Sequence, residues 1–281
     1  MTGPREIRRI DSNLGFHELS RAPNTASDGR GFAFQLRYMA EQCEEILQHF
    51  DSLAKNTYSA TPRRDGGYRL HRGPGGRLPA LEESKWEEAM YRRWSGSSGL
   101  GASIYLPVCP YIQTYQFPLK DSHEDKSWGK IDLLGISPEF LPVPNELKKR
   151  ASTDSPLRML IEVAAYGFAL HSVWPLLRAD WERSLERRFG HCPEMPAVLD
   201  DKICLIGVAP TEYWQACLGR NPHTGARRVP PKAWAPFWRL VDKLTDYFDI
   251  HFAVVHGTWE GDARLPTVSG ATILDLRAET S

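Results

Sequence analysis

The chain has 281 residues, 41% of them apolar and 25% charged, which is enough apolar material for one large domain or for a domain with an appendage. Its formal net charge is zero, so the strongly basic composition of the simplest nucleic-acid binders is absent, although local basic patches serve the same end. The segment MTGPREIRRIDSN contains no apolar stretch, and runs such as MLIEVAAYGFAL are short and carry a charge. Neither a signal peptide nor a membrane span is therefore expected. The five cysteines, Cys43, Cys109, Cys192, Cys204 and Cys217, are an odd number without a C-x-x-C pair, which predicts reduced thiols and a cytoplasmic location.

In chain order, residues 1–30 are polar and are expected to be poorly ordered. Apolar residues at 3.6-residue spacing predict a helix over 32–54. A Gly/Pro/Arg-rich loop over 59–80 then divides an N-terminal extension, 1–80, from a main domain, 81–281. A helix is predicted over 81–94, and strands over 112–119, 130–136 and 140–148 form a short meander. Pro156 suits the first turn of a helix over 156–171, with Asp154 or Ser155 as its cap, and a second helix is expected over 175–189. The near-continuous apolar run 202–209 predicts a buried strand. A helix over 232–248, a strand over 251–257 and a last strand over 270–276 complete the order. The layout is α/β: a mixed central sheet flanked by helices.

The stretch GKIDLLGISPEFLPVPNELKKR, residues 129–150, sets charge inside apolar strands. Residues two apart on a strand share a face, so Glu146 and Lys148 project together. A hairpin-like pairing sets Asp132, on the preceding strand, beside Glu146. Two carboxylates at that separation repel one another, and a divalent cation relieves the repulsion. An oxygen-only site of this kind suits Mg²⁺, with Lys148 near an anionic oxygen or a water. The pattern fits metal-assisted phosphodiester hydrolysis, and the same three residues also fit a buried salt bridge.

The surrounding residues resemble the PD-(D/E)XK nuclease superfamily, and within it the RecB-like motif set. Gly129-Lys130-Ile131-Asp132 matches G-x-h-D, where h is apolar. Glu146-Leu147-Lys148 matches (D/E)-x-K, and Glu162-Val163-Ala164-Ala165-Tyr166 stands where that set has Q-x-x-x-Y. The resemblance covers roughly residues 81–209. It implies a restriction-endonuclease-like core of order αβββαβ. It also implies Mg²⁺ (or Mn²⁺ in its place) held by Asp132, Glu146 and the Leu147 carbonyl, and Lys148 orienting water or stabilising charge. The chain departs from the pattern in having Ile131 before the aspartate, Glu162 for the glutamine, and Pro142 and Pro144 inside the strand of Glu146. Proline has no N–H for a ladder, so that strand is expected to be irregular or to have a free side there.

Glu83 falls on the apolar face of helix 81–94 between Trp86, Met90 and Trp94. The resemblance implies that such a first-helix glutamate approaches the metal, while a first-turn glutamate favoured by the helix dipole is the plainer alternative. Tyr166 follows Glu162 by one turn, and the resemblance implies that both touch the site or the nucleic-acid backbone. Basic residues gather at 148–150, 63–77 and 220–232, where they suit phosphate contact or simply solubility. His123-Glu124-Asp125 suits a solvated turn. His171, His251 and His256 lack zinc-site spacing and are assigned no role. The expected activity is a Mg²⁺-dependent nuclease acting on nucleic acid, DNA foremost, with no membrane partner. The alternative is a nuclease-fold domain without catalysis that binds nucleic acid or protein.

Overall fold

The structure, a computed structural model, describes residues 68, 70, 74, 79–95, 104–118, 130–152, 154–199, 202–220, 222–260 and 263–281. The expected helix over 32–54, most of the 59–80 loop, the 123–125 cluster and Gly129 lie outside these.

The first helix, α1 (Glu82–Trp94), has glutamates in its first turn and arginines in its last, the arrangement that opposes the helix dipole. Its stripe of Trp86, Met90 and Trp94 is buried, as the 3.6-residue period predicts. Strands β1 (Tyr111–Pro118), β2 (Lys130–Ile136) and β3 (Pro142–Leu147) form the antiparallel meander. Helix α2 (Pro156–Phe189) is capped by Ser155, whose hydroxyl accepts from the Arg158 amide at 3.3 Å. It ends at Gly190, whose φ of 74° is the left-handed cap conformation that glycine adopts without strain.

The sequence predicts two helices over 156–189, and here the structure corrects it. The helix runs through and bends by 83° between His171 and Val173. Pro175, inside the helix, lacks the N–H that would bond one turn back, and its ring crowds that carbonyl. Burial of Trp174, Leu177 and Trp181 holds the far limb against the core.

Strand β4 (Ile203–Pro210) is buried along all eight residues, as a central strand covered on both faces requires. It leads directly into α3 (Thr211–Leu218), two turns that are too short to show a period in the sequence. The helix expected over 232–248 is a 3₁₀ turn, Pro231–Trp234, followed by α4 (Ala235–Leu244), because Phe248 already begins β5 (Phe248–Thr258). Strand β6 (Thr267–Leu274) and α5 (Leu276–Thr280) finish the chain.

The six strands lie side by side in chain order. β1, β2 and β3 are antiparallel, β3, β4 and β5 parallel, and β6 antiparallel to β5. The sheet is therefore mixed and α/β in character. On one face α1 packs with Leu133, Val143, Leu147, Ile206 and Val208. On the other, α2, α3 and α4 pack with Leu134, Leu205, Ala209 and Phe252. Leu70, 2% exposed, belongs to this second core, so part of the loop before residue 81 packs with the domain. Among the described residues no single helix is long and apolar enough to cross a membrane.

Candidate active site

Leu133 pairs with Asn145 across β2 and β3, so Asp132 and Glu146 are the next residues along adjacent strands. The pairing is secured by Asp132 itself, whose Oδ2 accepts from the Leu147 N–H at 2.9 Å. Pro142 and Pro144 do not break it. They lie in the part of β3 that pairs with β2 alone, and β4 comes alongside only from Asn145 onward. The missing proline N–H groups thus fall where no ladder partner stands. On β4, the residue paired with Glu146 is Gly207, where a Cβ would come within 2.4 Å of the Met159 sulfur. That bare backbone lets α2 approach β3 and β4 closely and brings Glu162 over the strand.

Glu146, Lys148 and Glu162 meet there. Lys148 Nζ donates to Glu146 Oε1 at 2.6 Å and to Glu162 Oε2, and stands 3.7 Å from Asp154. Glu146 and Lys148 are only 4% and 3% exposed, so this is a buried ionic cluster. Burial pulls the Lys148 ammonium down, but Glu146, Glu162 and Asp154 outweigh it and hold its pKa well above the ordinary lysine range. Burial likewise works to raise Glu162, but Lys148 and Arg158 prevail and bring its carboxyl to about 2. Arg158 Nε donates to Glu162 Oε1 at 3.0 Å, one helical turn away. Glu146 is raised instead, by burial first and then by Asp132, against the pull of Lys148.

A second group of acids approaches from α1. Glu83, Glu87 and Asp132 each offer a carboxylate oxygen, and the three lie within 4.8 Å of one another. Glu87, 2% exposed, accepts at 3.0 Å from the side-chain amide of Gln116. Gln116 has φ 47°, a left-handed conformation uncommon outside glycine, and it falls on β1 between the residues paired with Leu133 and Ile131. Burial, partly offset by Gln116 and reinforced by Glu83 and Glu146, pushes Glu87 up to about 8. Asp132 is raised well above the carboxylate range, by burial first and then by Glu87. Burial also raises Glu83.

All the side chains singled out from the sequence therefore meet in one region: Asp132, Glu146, Lys148, Glu162 and Glu83. Tyr166 joins them, its phenol held well above its usual pKa by burial and then by the charges of Glu146 and Asp132. Leu147 enters through its N–H. Glu146 and Lys148 project together, as alternation along the strand predicts, and form a buried ion pair. One expectation needs correcting: Lys148 is no part of an exposed basic patch, being enclosed by carboxylates.

Glu87, Gln116, Asp154 and Arg158 were missed. Glu87 follows Glu83 by one helical turn, a spacing that was available to sequence reasoning. Gln116 carried no signal, since its role depends on the backbone of β1.

The donor set fits a hard divalent cation. Three carboxylate oxygens stand close enough to share one ion, and Glu146 Oε2 is buried without a hydrogen-bond partner. Oxygen-only ligands favour Mg²⁺ or Mn²⁺ over Zn²⁺. Comparison with protein-family models, with curated proteins and with solved structures gives no match.

Proposed function

We propose that the protein is a metal-dependent phosphodiesterase acting on nucleic acid, DNA foremost, built on a restriction-endonuclease-like αβββαβ core. The observation that carries the reading is the convergence of Asp132, Glu83 and Glu87 beside the buried Glu146–Lys148 pair on adjacent strands. The element order from α1 to β4, with antiparallel β1–β3 and parallel β3–β4, supports the fold assignment.

Asp132, Glu83 and Glu87 would hold Mg²⁺ or Mn²⁺, with Glu146 Oε2 as a further oxygen. When bound, the ion supplies Lewis acidity at a phosphoryl oxygen and acidifies a water. Lys148, kept protonated by its carboxylate neighbours, serves as a hydrogen-bond donor and fixed positive charge toward the developing oxyanion, not as a base. Glu162 and Arg158 fix the ammonium in position. Tyr166, which keeps its proton, is a hydroxyl donor at the same wall.

Nearby cations suit the phosphate backbone. Arg150 and Lys85 lie 5.0 and 5.3 Å from the ring centre of Trp259, and Arg150 also pairs with Glu82 at 3.0 Å. A cytoplasmic setting accords with the unpaired state of Cys109, Cys192, Cys204 and Cys217. The test is cleavage of labelled single- and double-stranded DNA and RNA in Mg²⁺, Mn²⁺ and EDTA. The reading requires cleavage of one of these in a divalent ion and none in EDTA. No cleavage of any substrate, with nucleic acid still bound, would favour a binding domain of the same fold.

A further inference from the structure

A second convergence of ligand-type side chains lies on the face of the sheet that α1 covers, opposite to Glu146 and Lys148. Cys204 on β4 pairs with Asp249 on β5, and His251 is two residues further along β5 on the same face. Each offers one ligand atom, and the three atoms lie within 4.8 Å of one another. Cys204 is 8% exposed, His251 is half-buried and Asp249 is exposed, so the group runs from the sheet out to solvent. It opens on a cleft of about 250 Å³ whose walls include Val108, Glu139 and Lys202.

We propose that Cys204, Asp249 and His251 bind a Zn²⁺ ion, separately from the carboxylate centre. The chemistry of the donors argues for it. A thiolate and an imidazole are the ligands that select Zn²⁺ over Mg²⁺, and a carboxylate completes a common three-residue set. His251 Nε2 and Asp249 Oδ2 stand 2.9 Å apart. Two ligands of one tetrahedral zinc are separated by roughly 3.3 Å, so only a small opening of this contact admits the ion. A fourth ligand would be supplied by water from the cleft that Cys204 and Asp249 line with Glu139. Binding converts the Cys204 thiol to thiolate and releases its proton to solvent. The two centres are distinct in space as well. Glu146 pairs with Gly207, three residues beyond Cys204 along β4, roughly 10 Å away and on the opposite face by alternation.

The full chain, stripped with chelator, is titrated with Co²⁺, whose thiolate complexes show a sulfur-to-metal charge-transfer band in the near ultraviolet. One such band, saturating at one equivalent and displaced by Zn²⁺, is expected in wild type and in Asp132→Asn alike. Cys204→Ser abolishes it, and His251→Ala and Asp249→Asn weaken binding by about tenfold or more. Those last two residues are partly or fully exposed, so they decide the matter even if Cys204→Ser misfolds. Absence of the band in wild type overturns the proposal. So does a band that survives in Cys204→Ser, which would belong to another cysteine, or one unaffected by His251→Ala and Asp249→Asn.

Discussion

Lys148 Nζ and Glu146 Oε1 lie 2.6 Å apart at the end of β3, almost fully buried. A pair in that position serves chemistry and stability together, because removing either partner strands a charge in the interior. Lys148→Met leaves Glu146 and Glu162 facing one another without their shared counter-ion. We expect the variant to lose about 3–5 kcal/mol of stability in EDTA and to regain part of it on addition of Mn²⁺, which restores positive charge. Melting curves with and without the ion check this. An unchanged melting temperature in EDTA would show that the pair contributes nothing to folding.

Among the glutamates of shifted acidity, Glu87 and Glu162 set opposite pH limbs. Glu87 sits at about 8 in the fold against an ordinary 4.5, so the folded state holds a proton that the unfolded chain releases. The stability that Glu87 contributes to the metal-free protein is full below pH 4.5 and is lost as pH rises to about 8. Glu162, at about 2, acts in reverse: its contribution is present above pH 4.5 and is lost as pH drops toward 2. Glu87→Gln should make the alkaline limb shallower, since the raised Asp132, Glu146 and Glu83 also contribute to it, and leave the acid limb intact. Melting temperature against pH in EDTA reads both, and parallel curves for wild type and variant would contradict the assignment.

Metal binding must displace the protons that burial keeps on Asp132 and Glu87. Apparent Mn²⁺ affinity is therefore expected to rise with pH through about 8, where Glu87 loses its proton. Calorimetry in buffers of different ionisation heat should show proton release on binding below pH 8. Affinity independent of pH would place the ion elsewhere.

Much of this site was legible because strand geometry converts sequence spacing into position. Glu146 and Lys148 share a face by alternation, and Asp132 meets them through a short turn, so three residues sufficed to locate the centre. Glu83 was visible as a carboxylate on an apolar stripe. Glu87 was passed over although it repeats that position one turn later, because charged residues on helices are ordinarily solvated. The Cys204–Asp249–His251 group was beyond reach. Cys204 is far in sequence from Asp249 and His251, and only the parallel register of β4 and β5 joins them. The sequence predicts two helices over 156–171 and 175–189, whereas burial of Trp174, Leu177 and Trp181 carries one helix through Pro175 with a bend. Ser155 rather than Asp154 is the cap, which leaves Asp154 to Lys148 and Arg158.

Nucleic-acid affinity is expected to fall steeply with salt, because phosphate contacts release counter-ions. Arg150→Ala should weaken binding to all sequences alike and reduce the salt slope by about one. Fluorescence anisotropy with a short labelled duplex and a single strand, from low to physiological salt, measures it. A flat salt response would point to a protein partner instead.

The most direct test of the account is single-turnover cleavage in Mn²⁺ by wild type beside Asp132→Asn. The asparagine retains an oxygen to accept the Leu147 N–H, so the β2–β3 pairing and the melting temperature should hold. Removing its charge from the Glu83–Glu87 group weakens the ion's site. The account predicts cleavage by wild type and a loss of about 10²-fold or more in the folded variant. Equal rates from the two proteins would contradict it.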